Sequence, residues 1–455
     1  MRSYELKPTH DNLLNTFLED MLDRNKEIFI FADMLNSCSK AYSMAIDASW
    51  GNGKTFFVKQ TKMYLDAHNP HLKSISDEDR EAIKSVKYNN ALQPQISVYY
   101  DAWENDNDTD PILSLVYSIV NSVEIDYSFE QGSSIFEKAA KILEFFNGRN
   151  WSDLINVFKS STVLDEIKQG KNIEMEIKDF LDSLLSERGN RLNVFIDELD
   201  RCKPSYAIKL LERIKHYFDN DKITFVFSIN AKELQNTIKK HYGNEFDACR
   251  YLDRFFDIRP SLPPVDLSKY FESIKFNSSY IYDEICELVI NRYKFSIREI
   301  GKYLSMARIA AYSPTHKSYY SDFPEKKSQQ FCMFYVVPIM LGLNLYNRDK
   351  YENFIAGQDA KPLIEILSEY LLQRFDDLLE KDEAYQEVEN KKIVTLDDKL
   401  NLVYNALFNH SYATQNTSIK IGQYIFNRKT KRVLFEVVGL LSEYATIEAD
   451  VDYSI

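Results

Sequence analysis

The period of the apolar positions changes several times along this 455-residue chain. From Asn12 to Asp33, residues Leu13, Leu14, Phe17, Met21, Leu22, Ile28 and Phe29 recur near helical spacing, which predicts one amphipathic helix packed on the next elements of the chain. Tyr42 to Ala48 is then a short apolar run, followed by Ser49-Trp50-Gly51-Asn52-Gly53, and a helical pattern resumes over Phe56 to Leu65. His68 to Gln95 is polar and holds two prolines, as a surface excursion does, before a second strand at Ile96 to Ala102. Asp110 to Gly189 reads as a helical insert of about 80 residues with no recognisable chemistry of its own. Leu192 to Ile196 and Ile223 to Ile229 are apolar on both faces and rich in β-branched residues. With the helix Pro204 to Phe218 between them they predict a βαβ unit with buried parallel strands. Strand signals cease after Pro260-Ser261-Leu262-Pro263-Pro264, and Asp266 to Ile455 reads as a succession of helices. The expected fold is therefore α/β: a parallel-sheet core with a helical insert, followed by an all-α C-terminal region.

The first strand, the glycine-bearing turn and the next helix stand in the order that phosphate binding requires. Ala48-Ser49-Trp50-Gly51-Asn52-Gly53-Lys54-Thr55 matches the phosphate-loop spacing except that Ala48 replaces the usual first glycine. Gly51 and Gly53 can adopt positive φ, so that backbone N–H groups converge on an anion at the start of a helix. Lys54 would then lie on the β and γ phosphates of ATP, and the Thr55 hydroxyl on Mg2+. Trp50 and Asn52 complete the loop, and Trp50 either stacks on the nucleotide or packs under the loop, the second being favoured. An accidental Gly-Lys-Thr in a surface turn becomes improbable once a preceding strand and a following apolar helix are required.

Val194-Phe195-Ile196-Asp197-Glu198 places two carboxylates at the carboxyl end of a buried strand, where ligands sit in open α/β sheets. Asp197 is expected to hold magnesium, and Glu198 to polarise the attacking water as general base. Asp200 and Arg201 read equally as functional groups, surface ion pairs or helix caps. Asn230, after the strand Ile223 to Ile229, is expected to sense the γ phosphate, with an N-cap as the alternative. Arg254 and Arg259 are candidates for an arginine finger at a subunit or domain boundary, against ordinary surface pairing.

Together these residues resemble the KAP family of P-loop NTPases. The resemblance rests on Ser49-Trp50-Gly51-Asn52-Gly53-Lys54-Thr55, on Asp197-Glu198-Leu199-Asp200-Arg201-Cys202-Lys203-Pro204, and on Asp101-Ala102-Trp103 at the second strand's end. It implies that Tyr251-Leu252-Asp253-Arg254-Phe255-Phe256 leads into a helical lid. Ser296-Ile297-Arg298-Glu299-Ile300 is similar to the family's lid helix, which makes Arg298 a candidate second sensor. Ala48, Asp101 and Glu198 depart from the family's usual glycine, asparagine and aspartate, and the membrane helices that many relatives carry between loop and acidic strand are missing. The resemblance implies an ATP-hydrolysing P-loop NTPase, and a setting in bacterial anti-phage defence. Residues 1–262 are expected to form the nucleotide core, with the insert at about 107–190, and 263–455 the helical lid and partner-binding domain.

Bulk properties narrow this further. A net charge of -13 and a pI near 5.2 argue against a chain coated with nucleic acid, though a local basic groove survives that average. The cluster Arg428-Lys429-Lys431-Arg432 and the pair Lys239 and Lys240 are the local hints of DNA, and a solvated face explains them equally. Cys38, Cys202, Cys249, Cys286 and Cys332 show no C-x-x-C spacing and no charged-then-apolar leader opens the chain, so reduced thiols in cytoplasm are expected. Phe331 to Leu345 is shorter than the roughly 20 residues that span a bilayer and contains Pro338, so it reads as a buried helix without membrane insertion. The histidines lack metal-ligand spacing, which leaves magnesium as the expected metal and ATP, or GTP, as the nucleotide. Three functions compete: an ATP-hydrolysing switch whose C-terminal region binds a protein partner or a second copy, a weakly hydrolysing ATP-binding scaffold, and a DNA-sensing or translocating ATPase.

Overall fold

The structure, a computed structural model, describes residues 7–86, 91–108, 110–128, 130, 133–147, 164–217, 220–263, 265–274, 276, 280–316, 324–368, 395–409 and 418–440. The chain divides into two compact units, Lys7–Tyr270 and a second made chiefly of Phe271–Ile455.

The first unit is built on four parallel strands: β1 (Tyr42–Asp47), β2 (Ile96–Asp101), β3 (Leu192–Asp197) and β4 (Ile223–Ile229), in the order β1-β4-β3-β2. Every residue of β3 and β4 is buried, as their mostly apolar sequences require when helices cover both faces. The pairing brings Asp101 level with Asp197, Asp197 level with Ser228, and Asp47 level with Ile229. The three strand-end aspartates therefore emerge along one edge. A fifth extended segment joins the sheet outside β1, where the carbonyls of Ile258 and Pro260 accept from the amides of Ala45 and Asp47 at 2.9 and 3.2 Å. Pro260 has no amide to donate, which fits it to this edge position.

The helices differ from expectation in two places. The N-terminal apolar run forms two helices, His10–Leu18 and Asn25–Asn36, instead of one. Asp20 and Asp23 between them adopt positive φ of 48° and 49°, and Asp20 Oδ1 accepts from the amides of Arg24 and Asn25 at 2.9 and 3.0 Å, which starts the second helix. Apolar spacing alone does not register such a break. The pair still packs on the helix Lys54–His68, as expected, through the rings of Phe17, Phe29 and Tyr64.

Pro111–Tyr127, Ser134–Asn147 and Leu164–Arg188 are helical, but the first belongs to the core itself: Leu113, Leu115, Val116 and Ile119 share one buried cluster with Val98, Val194 and Phe225. Asp110 caps that helix and pairs with Arg213 from the helix Pro204–Tyr217, fixing it to the sheet layer.

The second unit is helical, with one addition. Ile419–Ile421 and Tyr424–Phe426 pair as an antiparallel hairpin, closed by Gly422 at φ 57°. Strands of three residues are too short to produce a period in the sequence. Lys326–Tyr346 is the one helix among the described residues long and apolar enough to cross a membrane, and 78% of its apolar window is buried inside the protein. A π-helical stretch, Cys332–Val336, ends two residues before Pro338, which has no N–H for the ordinary i to i−4 bond.

Within this unit Gly342 faces Val289, and a Cβ added at Gly342 would collide with Val289 Cγ1. Gly342→Ala is therefore expected to cost about 1–3 kcal/mol in chemical denaturation. Gly342→Ala combined with Val289→Ala should cost less than the two single changes summed; strict additivity would refute the contact.

Candidate functional site

β1 ends at Asp47, whose Oδ1 accepts from the Ala231 amide at 2.9 Å, and the Ala48 amide donates to the Ile229 carbonyl at 3.2 Å. These bonds anchor the loop to the end of β4. The chain then turns through Gly51 and Gly53 at φ 82° and 79°, values that cost an L-residue but suit glycine, and the helix begins at Lys54. Lys54 is buried and its ammonium donates to the carbonyls of Ala48 and Ser49 at 2.5 and 3.2 Å, folded back across its own loop. Burial lowers its pKa, against the pull of Asp200, Asp197, Glu198 and Asp47, which are thus its charged surroundings.

Asp197 is 1% exposed, and both its carboxylate oxygens are engaged: Oδ1 by the Glu198 amide at 2.9 Å and Oδ2 by the Tyr99 hydroxyl at 3.1 Å. Burial, with Asp197 alongside, raises the Tyr99 pKa, so its hydroxyl remains a donor. Glu198 takes a left-handed conformation at φ 60°, which lets the short 3-10 turn Leu199–Arg201 start at once. Its carboxylate meets Arg201 Nε at 2.6 Å. Burial first, then Asp197, pushes its pKa up to about 7, with Arg201 opposing.

Sequence reasoning left Asp200 and Arg201 undecided and placed Trp50 under the loop. Trp50 is instead 46% exposed, and its indole N–H donates to Asp200 Oδ2 at 2.5 Å. Asp200 is buried, with Oδ1 making no hydrogen bond, so it is neither a surface partner nor a cap. Arg201 lies over the rings of both Trp50 and Trp103, at 5.8 and 5.5 Å. Asp101 holds Trp103 there by accepting from the amides of Trp103 and Glu104 at 3.0 and 3.1 Å. The signal for this assembly was the pair of exposed-edge motifs, Asp101-Ala102-Trp103 and Asp200-Arg201, whose meeting only the sheet order reveals.

Asn230 stands beside the loop's start, and its Oδ1 accepts from the Glu233 amide at 3.4 Å as an N-cap. Arg254 is exposed next to the first residues of β1 and β4, the opposite sheet edge from Lys54, where it lines a cavity of about 160 Å3 with Tyr42, Ser43 and Ile223. Arg259 pairs with Asp253 at 2.7 Å. Arg298 is exposed on the second unit. Of the DNA hints, Lys239 and Lys240 occupy the last turn of the helix Ala231–Tyr242, where cations suit the dipole. Lys431 donates to the Phe408 carbonyl and Arg432 pairs with Glu436; the side chains of Arg428 and Lys429 lie outside the described residues.

The donor set fits a magnesium ion that is shared with a nucleotide. Among the described residues no three His, Cys, Asp or Glu side chains converge on one point, so these residues offer no self-sufficient metal cage. Thr55 carries a hydroxyl and Asp197 a carboxylate, the hard oxygen donors of which magnesium typically takes one or two when phosphates provide others.

Residues 24–277, more than half of the chain, match the KAP family P-loop domain. The chain belongs to the KAP family. Its P-loop domain implies nucleotide binding. No curated protein matches the chain. Among solved structures, the Aeropyrum pernix ORC2 protein (ADPNP-ADP complexes) is 12% identical at a TM-score of 0.34, covering 92% of this chain and 94% of that one. The Aeropyrum pernix ORC1 protein in complex with DNA is 12% identical at 0.33, over 92% and 93%. Drosophila ORC bound to GC-rich DNA and Cdc6 is 9% identical at 0.31, over 86% and 51%. At these scores the three likenesses carry no argument about this KAP protein.

Gly53→Ala forces a side chain into the left-handed turn and is expected to cost about 1 kcal/mol of stability. It should also weaken nucleotide binding, read by calorimetry; undiminished affinity would mean that the turn does not set the anion cradle.

Proposed function

We propose that this protein is a magnesium-dependent ATP-hydrolysing switch. The observation that carries the reading is the gathering of Lys54, Asp197 and Glu198 around a loop whose two glycines hold positive φ. Lys54 is placed to trade its two loop carbonyls for phosphate oxygens, which are better partners for an ammonium because they are charged. The loop amides and the start of the helix Lys54–His68 orient the anion. Asp197 and the Thr55 hydroxyl would hold magnesium, with Tyr99 fixing the Asp197 carboxylate. When bound, magnesium would neutralise charge on the transferring phosphoryl group. Glu198, whose pKa is raised to about 7, is suited to take a proton from water near neutral pH.

The C-terminal unit is proposed to bind a protein partner or a second copy, and bacterial anti-phage defence is proposed as the setting by analogy alone. The alternative, a scaffold that binds ATP and hardly turns it over, draws support from the Glu198–Arg201 ion pair, which occupies the general base.

Magnesium-dependent ATP hydrolysis and nucleotide binding separate the two. In the switch reading, Lys54→Ala loses binding, while Glu198→Gln keeps binding and loses on the order of 100-fold or more in turnover. Parent protein that binds ATP without hydrolysing it would establish the scaffold instead.

A further inference from the structure

The contact between Glu198 and Arg201 is more than a local ion pair, because of what holds Arg201. The Glu198 and Arg201 side chains are 16% and 24% exposed, so water screens the pair only partly. Arg201 is placed three residues on by the left-handed turn at Glu198, and its guanidinium lies over Trp50 from the phosphate loop and Trp103 from the segment after β2. Trp50 is tied in turn to Asp200, the residue before Arg201. One amino acid of the loop thus touches two adjacent residues of the 3-10 turn, and a shift of Trp50 must disturb the indole bond to Asp200, the ring beneath Arg201, or both.

We propose that Arg201 is a positioning residue that latches the Glu198 carboxylate, and that filling the phosphate loop releases the latch through Trp50. The inference rests on the switch reading above and deepens it by naming how hydrolysis is held back. With Arg201 engaged, Glu198 Oε2 accepts from a guanidinium, which holds the carboxylate in place and makes that oxygen a weaker base toward water. Movement of Trp50 removes one of the two rings over Arg201, and Trp103 alone leaves it less restrained. The other charged groups that surround Glu198 are Asp197, Asp200, Asp101 and Lys54, so Arg201 and Lys54 are the cations at hand and Lys54 is already given to the loop.

Steady-state hydrolysis and a fluorescence measurement test this together. Arg201→Ala is expected to raise kcat several-fold with ATP affinity held within about twofold, and Arg201→Lys to fall between it and the parent. A fall in kcat, or no change, with affinity retained would overturn the latch, the former making Arg201 an activating residue. The chain has three tryptophans, so Trp50→Phe with Trp151→Phe leaves Trp103 as the sole indole reporter, with a ring kept at position 50. Its emission should respond to ATP with magnesium when Arg201 is present and stay unchanged in the Arg201→Ala version of the same protein. Equal responses in both, with calorimetry confirming that nucleotide is bound, would also overturn the latch. Absence of binding by the parent would instead remove the switch reading, and the latch with it.

Discussion

Parallel strands buried along their whole length can release charge only at their ends, and the site depends on that constraint. β3 and β4 admit no exposed residue, so the acids that come after apolar runs in sequence emerge at a common edge. The pairing register then decides which groups meet. Asp101 and Asp197 stand level on adjacent strands, and Asp47 is tied to the start of the helix after β4. A register slip of one residue on β3 would turn Asp197 away from Tyr99 and the loop, and would bury Glu198 where Asp197 now lies.

That edge concentrates like charges, and the protein answers locally with donors. Asp197 is satisfied by one amide and one hydroxyl, neither of them charged, which leaves the cations for other work. Lys54 lies among the carboxylates but spends its hydrogen bonds on loop carbonyls, and Arg201 spends its own on Glu198. A buried ammonium or carboxylate is costly unless paired, so each of the two cations is held by a partner within the protein. Asp200 shows the limit of that arrangement, since one of its oxygens is buried without a partner.

The parts of the fold that could be read from sequence were those fixed by local chemistry. β1, β3, β4 and the phosphate loop follow from apolar runs that end in glycines or acids, and the family resemblance built on them holds. What escaped depends on distant geometry. Nothing around Asp20 separates it from an ordinary exposed helical aspartate until its bonds to the Arg24 and Asn25 amides are seen. Asp200 looks like a surface acid because burial comes from packing with Trp50 and Thr237, far away in sequence. Arg254 comes soon after the βαβ core in sequence, yet the fifth extended segment runs parallel to β1, so residues before it fall at the opposite edge from the loop.

Charge at the carboxyl edge also bears on how a nucleotide would be held. Asp47, Asp101, Asp197, Glu198 and Asp200 gather there against Lys54 and Arg201, five carboxylates to two cations. A polyphosphate entering such an edge meets net repulsion, which loop amides and a helix dipole offset only in part, since a helix end acts as about half a charge. In the proposed chemistry a divalent cation would offset that repulsion.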